Sequence, residues 1–232
     1  MITQKAFMDR ISRALGREGV PDIIKPSYDY TKGLQFSNLQ GLDAKGLRDV
    51  FHAQDKVRDY TYMECDQKEL GRVLAQIIAK ENPNRIVVPK DTTADGLDVL
   101  ALLQDAEQEV YAYDKEAEKT AQRATIESAG LSITIPFRAI AETGTVLELS
   151  QDTCGKAVSL LPPAHISIVF QSRLRATLTE VAPELDAMGE SGKLPSSVLF
   201  VSGPSSTGDI ESILVTGVHG PTREYNIVVR DM

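Results

Sequence analysis

The segment Ser202-Gly203-Pro204-Ser205-Ser206-Thr207-Gly208-Asp209 crowds turn formers, hydroxyls and one carboxylate between two apolar runs, Ser197 to Val201 and Tyr225 to Val229. Both runs read as strands, so the segment opens at a strand's carboxyl end, where ligands collect in open α/β sheets. Side-chain oxygens of Ser, Thr and Asp cap helices, and the spacing predicts a helix beginning near Thr207 or Asp209. Backbone N–H groups at such a start, with hydroxyls beside them, would cradle a carboxylate or phosphate. A single cap needs one oxygen, whereas Ser205, Ser206, Thr207 and Asp209 supply several, which makes them candidate ligand contacts as well as candidate caps. His219 follows in the constrained run Gly217-Val218-His219-Gly220-Pro221. There it could orient a ligand or a carboxylate, or simply hydrogen-bond a backbone carbonyl.

A second dense segment, Ala141-Glu142-Thr143-Gly144-Thr145, enters the apolar run Val146 to Leu149. Glu142 could act as a general base, a nucleophile or an acceptor for a ligand hydroxyl. The plainer alternative is a carboxylate that fixes the turn at Gly144. Thr143 and Thr145 place hydroxyls on either side of that glycine, which permits a tight turn or a close ligand approach. Because both segments flank strands, they are expected to meet in one pocket.

The elements that must position these residues alternate. Phe7, Ile11 and Leu15 share a helical face after Thr3, a cap, and before Gly16, a stop. Residues 20 to 46 read as an extended connector, so the chain is expected to comprise residues 1–46 and a main domain, 47–232. A helix with Leu47, Val50, Phe51 and Val57 inward comes next, then an amphipathic helix from Gln67 to Lys80. Strand Arg85 to Val88, a helix around 97 to 103, strand Val110 to Tyr113, a helix from 115 to 129 and strand Leu131 to Ile135 predict a mostly parallel α/β sheet flanked by helices. Strands 145 to 149 and 165 to 170, separated by the short run Val158 to Leu161, suggest a local antiparallel or meandering portion. Residues 172 to 189 read as a helix that Pro183 interrupts.

Of the 232 residues, 25 are Lys or Arg and 33 are Asp or Glu, for a net charge of -8, and no basic run appears. Nucleic acid is therefore a poor partner. No stretch approaches the ~20 apolar residues of a membrane span, and the N-terminus lacks the apolar core of a signal peptide, so a cytoplasmic protein is expected. The two cysteines, Cys65 and Cys154, are isolated, and His52, His165 and His219 have no ligand spacing, which argues against a metal site in this chain. Cys154 lies in a polar turn where a thiol could be reactive.

Four motifs occur in order: Ala141-Glu142-Thr143-Gly144-Thr145; Ser159-Leu160-Leu161-Pro162 with His165-Ile166; Gly203 to Glu211; and Gly217 to Pro221. Together they resemble the LUD-domain family, in its lactate-utilisation branch, over roughly the C-terminal 100 residues. The chain departs from the family's pattern at Lys156, where Arg is common, and at Ser206-Thr207-Gly208, where Arg-Thr-Ala is common; losing an Arg there would weaken anion recognition. The resemblance implies a fold similar to the NagB/RpiA/CoA-transferase group, with the N-terminal helix as an extension. It also implies a role in oxidising L-lactate to pyruvate beside two iron–sulfur partner proteins, which would carry the clusters while this chain binds no cofactor. A small anionic ligand fits the hydroxyl-rich segments. Two rival functions remain at this point: a free-standing enzyme on a sugar phosphate or coenzyme A thioester, with Glu142 as catalytic carboxylate, and a regulatory or assembly protein.

Overall fold

The computed structural model describes residues 3–17, 39, 41–90, 92–93, 96–150, 154–210, 213–217 and 219–231. The chain divides into Met1–Lys32 and Gly33–Met232. In the first unit α1 spans Gln4–Ala14, and Thr3 caps it by accepting from the Ala6 N–H. Most of the expected connector, residues 20 to 46, lies outside the described residues.

The second unit begins with α2 (Ala44–Ala53), whose first turn is capped by the Asp43 carboxylate, and the short α3 (Asp55–Arg58). Strand β1 (Thr61–Asp66) leads into α4 (Leu70–Glu81), β2 (Arg85–Val88), α5 (Val99–Leu102), β3 (Glu109–Ala112), α6 (Lys119–Glu127) and β4 (Leu131–Thr134). The chain then makes β5 (Arg138–Ile140), β6 (Thr145–Leu149), α7 (Lys156–Leu160), β7 (Ala164–Phe170), β8 (Leu174–Arg175), α8 (Leu178–Glu190) and β9 (Val198–Val201). It ends with β10 (Ser206–Ile210), β11 (Ile213–Thr216) and β12 (Arg223–Arg230).

Six strands in the order β1-β12-β7-β4-β2-β3 form a sheet in which every pairing is parallel. The expected α/β architecture, a mostly parallel sheet flanked by helices, is the one observed. A separate sheet, β8-β5-β6-β9, is antiparallel except at β5/β8; of the two strands expected to form an antiparallel portion, 145–149 lies there as β6, whereas 165–170 lies in the parallel sheet as β7 and does not pair with it.

The two faces of the parallel sheet differ. Alternation turns Leu131, Ile133, Ile166, Ile168, Ile227 and Val229 to one face, where they pack with Leu70, Leu74 and Ile77 of α4. Each such aliphatic side chain contributes about 1.5–3 kcal/mol on burial. On the other face, Val169 and Val228 pack with Phe51 and Val146 at one end, and Val87 packs with Ile126 and Val158 at the other. Between those two apolar patches the face is polar.

Four further expectations are corrected. No helix starts near Thr207 or Asp209; Ser206–Ile210 pairs with Ile213–Thr216 as a hairpin, because β-branched residues on both arms favour extended backbone over a helical turn. The preceding strand, β9, lies in the antiparallel sheet, so the loop does not open at the carboxyl end of the parallel one. Helix α8 runs unbroken through Pro183, the sixth of its thirteen residues, where the ring removes one backbone donor without ending the helix. Val57 is 70% exposed rather than inward, because α3 is a single turn that ends one residue later.

Candidate functional site

Register builds the polar patch. Ser132 of β4, His165 of β7 and Glu224 of β12 lie side by side across three neighbouring parallel strands, and Thr134, Ser167 and Asn226 form a second row two residues on. All six are buried. Glu148 from β6 and Ser159 from α7 are buried over them. Strand β6 delivers Glu148 because its alternation packs Val146 with Val169 and Val228 while Leu147 packs with Val181 of α8.

His165 is the hub. Its Nδ1 lies 3.0 Å from Glu224 Oε2 and 2.9 Å from Oε1, and its Nε2 lies 2.8 Å from Thr134 Oγ1. The Thr134 hydroxyl donates in turn to Glu148 Oε1. Ser159 donates to Glu148 Oε2 at 3.0 Å, and Ser167 donates to Glu224 Oε1 at 3.3 Å. One proton arrangement satisfies every contact with both carboxylates ionised: an imidazolium donates from Nδ1 to Glu224 and from Nε2 to Thr134, which passes its own proton to Glu148. Among the described residues, Ser132 Oγ and Asn226 Oδ1 in the same rows are buried without a hydrogen-bond partner.

Burial by itself depresses the pKa of His165, but the adjacent carboxylate of Glu224, reinforced by Glu148, overcomes it and holds the ring above its ordinary 6.5. Burial also raises Glu224 above its ordinary 4.5, against the pull of His165. Both groups therefore bind protons more readily in the folded chain than in the unfolded one. The His165 contribution is present in full below pH 6.5 and is lost as pH rises through the higher folded value; that of Glu224 declines likewise from 4.5 upward. The stability gap between the native protein and His165→Gln is accordingly expected to be widest below pH 6.5 and to narrow on the alkaline side. Urea denaturation across pH checks this, and a gap that widens with pH would contradict it.

The residues singled out from sequence lie elsewhere. Glu142 sits with its side chain exposed in the 3-10 turn Ala141–Thr143, and its N–H donates to the Ala176 carbonyl at 3.0 Å. Thr143 Oγ1 bonds Thr145 Oγ1 at 2.7 Å, and Thr145 Oγ1 bonds Ser202 Oγ at 2.7 Å. The two segments therefore do touch, through Thr143, Thr145 and Ser202. Gly144 has φ +62, and a Cβ there would come within 2.6 Å of Gln54 Cβ and 2.9 Å of the Tyr60 hydroxyl, so the close neighbour is the protein itself. The Ser205 N–H donates to the Pro221 carbonyl at 2.9 Å, and its carbonyl accepts from Gly217 at 2.7 Å, which ties the loop to the turn carrying His219. His219 itself is exposed. Ser206 and Thr207 face Thr216 and Val215 across the hairpin, and the side chain of Asp209 lies outside the described residues. Cys154 packs beside Val158 rather than standing open in a turn, and burial raises its thiol pKa, which keeps it the unreactive thiol.

The polar rows escaped the sequence reading although their signal was present. Ser132-x-Thr134, His165-x-Ser167 and Glu224-x-Asn226 each put two polar residues at strand spacing inside an apolar run. One such pair is unremarkable; three of them mark one face only once the strand order is known.

Comparison with known proteins follows from this geometry. A family model described as the LUD domain matches residues 56–229. Lactate utilization protein C of Halalkalibacterium halodurans is 31% identical over 230 residues, covering 98% of both chains. The protein of the same name from Geobacillus thermodenitrificans is 32% identical, covering 97% of this chain and 95% of its own. That from Bacillus subtilis is 30% identical, covering 98% and 96%. Among solved structures, the crystal structure of a DUF162 family protein from Deinococcus radiodurans matches with a TM-score of 0.61 at 24% identity, over 81% of this chain and 99% of that one, a likeness of fold.

Proposed function

The chain belongs to the LUD-domain family, and from that footing we propose that it serves lactate utilisation, as a subunit of a system that oxidises L-lactate to pyruvate with iron–sulfur partner proteins. The observation that carries this reading is the end-to-end correspondence with proteins named lactate utilization protein C, at 30 to 32% identity and with at least 95% of each chain covered.

The oxidation removes two electrons and two protons from lactate, so the system needs electron acceptors as well as proton acceptors. An iron–sulfur cluster takes about four cysteine ligands, and this chain has two, Cys65 and Cys154. That count supports placing the clusters in the partners. Burial raises the Cys65 thiol to about 11, which also disfavours the thiolate a cluster needs. The chain's own contribution is then to hold substrate or partner. No helix among the described residues is long and apolar enough to cross a membrane.

Deleting the gene from its host and supplying L-lactate or pyruvate as sole carbon source tests the reading. Growth is expected to fail on L-lactate, persist on pyruvate and return when the gene is restored. Undiminished growth of the deletion strain on L-lactate would overturn the proposal.

A further inference from the structure

Beside the touching segments lies a cleft of about 170 Å³, lined by Arg58, Asp59, Ser202, Ser206 and Thr216 among others. We propose that it binds a small 2-hydroxy carboxylate, with Arg58 taking the carboxylate and Asp59 accepting the hydroxyl. The choice of a hydroxy acid rests on the lactate reading above. The anion site rests on the geometry alone.

Arg58 is exposed but anchored. Its Nε–H donates to the Thr143 carbonyl at 3.2 Å, which orients the planar guanidinium and directs the terminal amino groups away from that contact. Among the described residues no carboxylate forms an ion pair with it, so its charge is open to an anion in the forked, two-bond geometry that suits a carboxylate. The backbone is pinned as well. Gly203, at φ +89, lies so close that a Cβ would fall 1.9 Å from the Arg58 carbonyl oxygen. That contact presses the end of α3 against the turn after β9 and brings Ser202 beside Arg58.

Asp59 adopts the left-handed conformation, φ 58, at the C-terminus of α3. A residue other than glycine in that conformation costs about 1–2 kcal/mol, and such outliers cluster at functional sites. Asp59 lines the cleft together with Arg58, which puts an acceptor for a hydroxyl in the same small space as the guanidinium. Ser206 and Thr216, paired across the hairpin, and Ser202, the end of the Thr143–Thr145–Ser202 hydroxyl chain, surround the remaining atoms with groups that both donate and accept. The cleft of about 170 Å³ leaves room for a molecule of lactate's size.

Titration calorimetry of the intact chain with L-lactate, pyruvate and inorganic phosphate tests the assignment. L-lactate is expected to bind, and Arg58→Gln to weaken it at least tenfold with an unchanged circular dichroism spectrum. Arg58→Lys keeps the charge without the fork and should fall between. Asp59→Asn is expected to weaken L-lactate several-fold more than pyruvate, which has no hydroxyl to donate. Equal effects on both ligands, phosphate bound in preference to either, or a normal lactate affinity in Arg58→Gln would each overturn the proposal. If Arg58→Gln binds and grows normally on L-lactate while the deletion strain does not grow, the cleft assignment fails and the lactate reading stands. If the deletion strain grows while native protein binds lactate through Arg58, the lactate reading fails and the cleft assignment stands.

Discussion

Replacing Glu224 by alanine is expected to lower the unfolding free energy by about 3–5 kcal/mol, because it leaves the buried His165 facing a cavity where its principal counter-charge stood. In a domain of this size each kcal/mol moves the thermal midpoint by roughly 2–4 °C, so a fall on the order of 10 °C is anticipated. Two losses combine. Desolvation of the imidazolium is no longer offset, and Ser167 loses its hydrogen-bond acceptor. Glu224→Gln keeps the shape and an acceptor, and should cost less. The double variant His165→Leu, Glu224→Met removes both charges and is expected to recover at least half of the loss, since apolar replacements of buried pairs are often well tolerated. Calorimetry at neutral pH decides the matter, and a Glu224→Ala midpoint within a degree or two of native would mean that the network carries no net energy.

Gly203→Ala should be the next most damaging single change. The methyl group would sit 1.9 Å from the Arg58 carbonyl oxygen and 2.9 Å from its carbon, and the residue would also have to hold φ +89. Positive φ alone costs about 1–2 kcal/mol for an alanine. The clash is with backbone, which cannot swing aside, so a total of roughly 2–4 kcal/mol is expected, together with loss of lactate binding in the cleft. Gly208, in the neighbouring strand β10, supplies the control, because a Cβ there meets nothing within 4 Å. Gly208→Ala should stay within about 0.5 kcal/mol of native. Equal stability of the two variants in urea would show that Arg58 and Gly203 do not press together as described.

Why some of this was legible and some not follows from the range of the forces involved. Strand Arg85–Val88 and the helix through Leu70, Val73, Leu74 and Ile77 announce themselves because one strand or helix face is uniformly buried and its period is local. The hairpin Ser206–Thr216 was misread because the same hydroxyl residues serve as helix caps and as strand residues. Pairing between β10 and β11, a contact some ten residues apart, decides in favour of the strand. The His165 network was invisible for a stronger reason. Its members come from β4, β6, α7, β7 and β12, spread over some ninety positions, and only the crossover order of the sheet makes them neighbours. Within the cleft, Ser202 and Ser206 stood in the segment that sequence singled out, whereas Arg58 did not. Its relevance depends on Gly203 meeting the end of a helix more than 140 residues earlier.

The central claim, that the chain serves the oxidation of L-lactate, is tested most directly by pyruvate formation in extracts. An extract of the deletion strain, given L-lactate and an artificial electron acceptor, is expected to form little pyruvate until the purified chain is added back, and then to form it in proportion to the chain supplied. Pyruvate formed at the same rate with and without the chain would contradict the account.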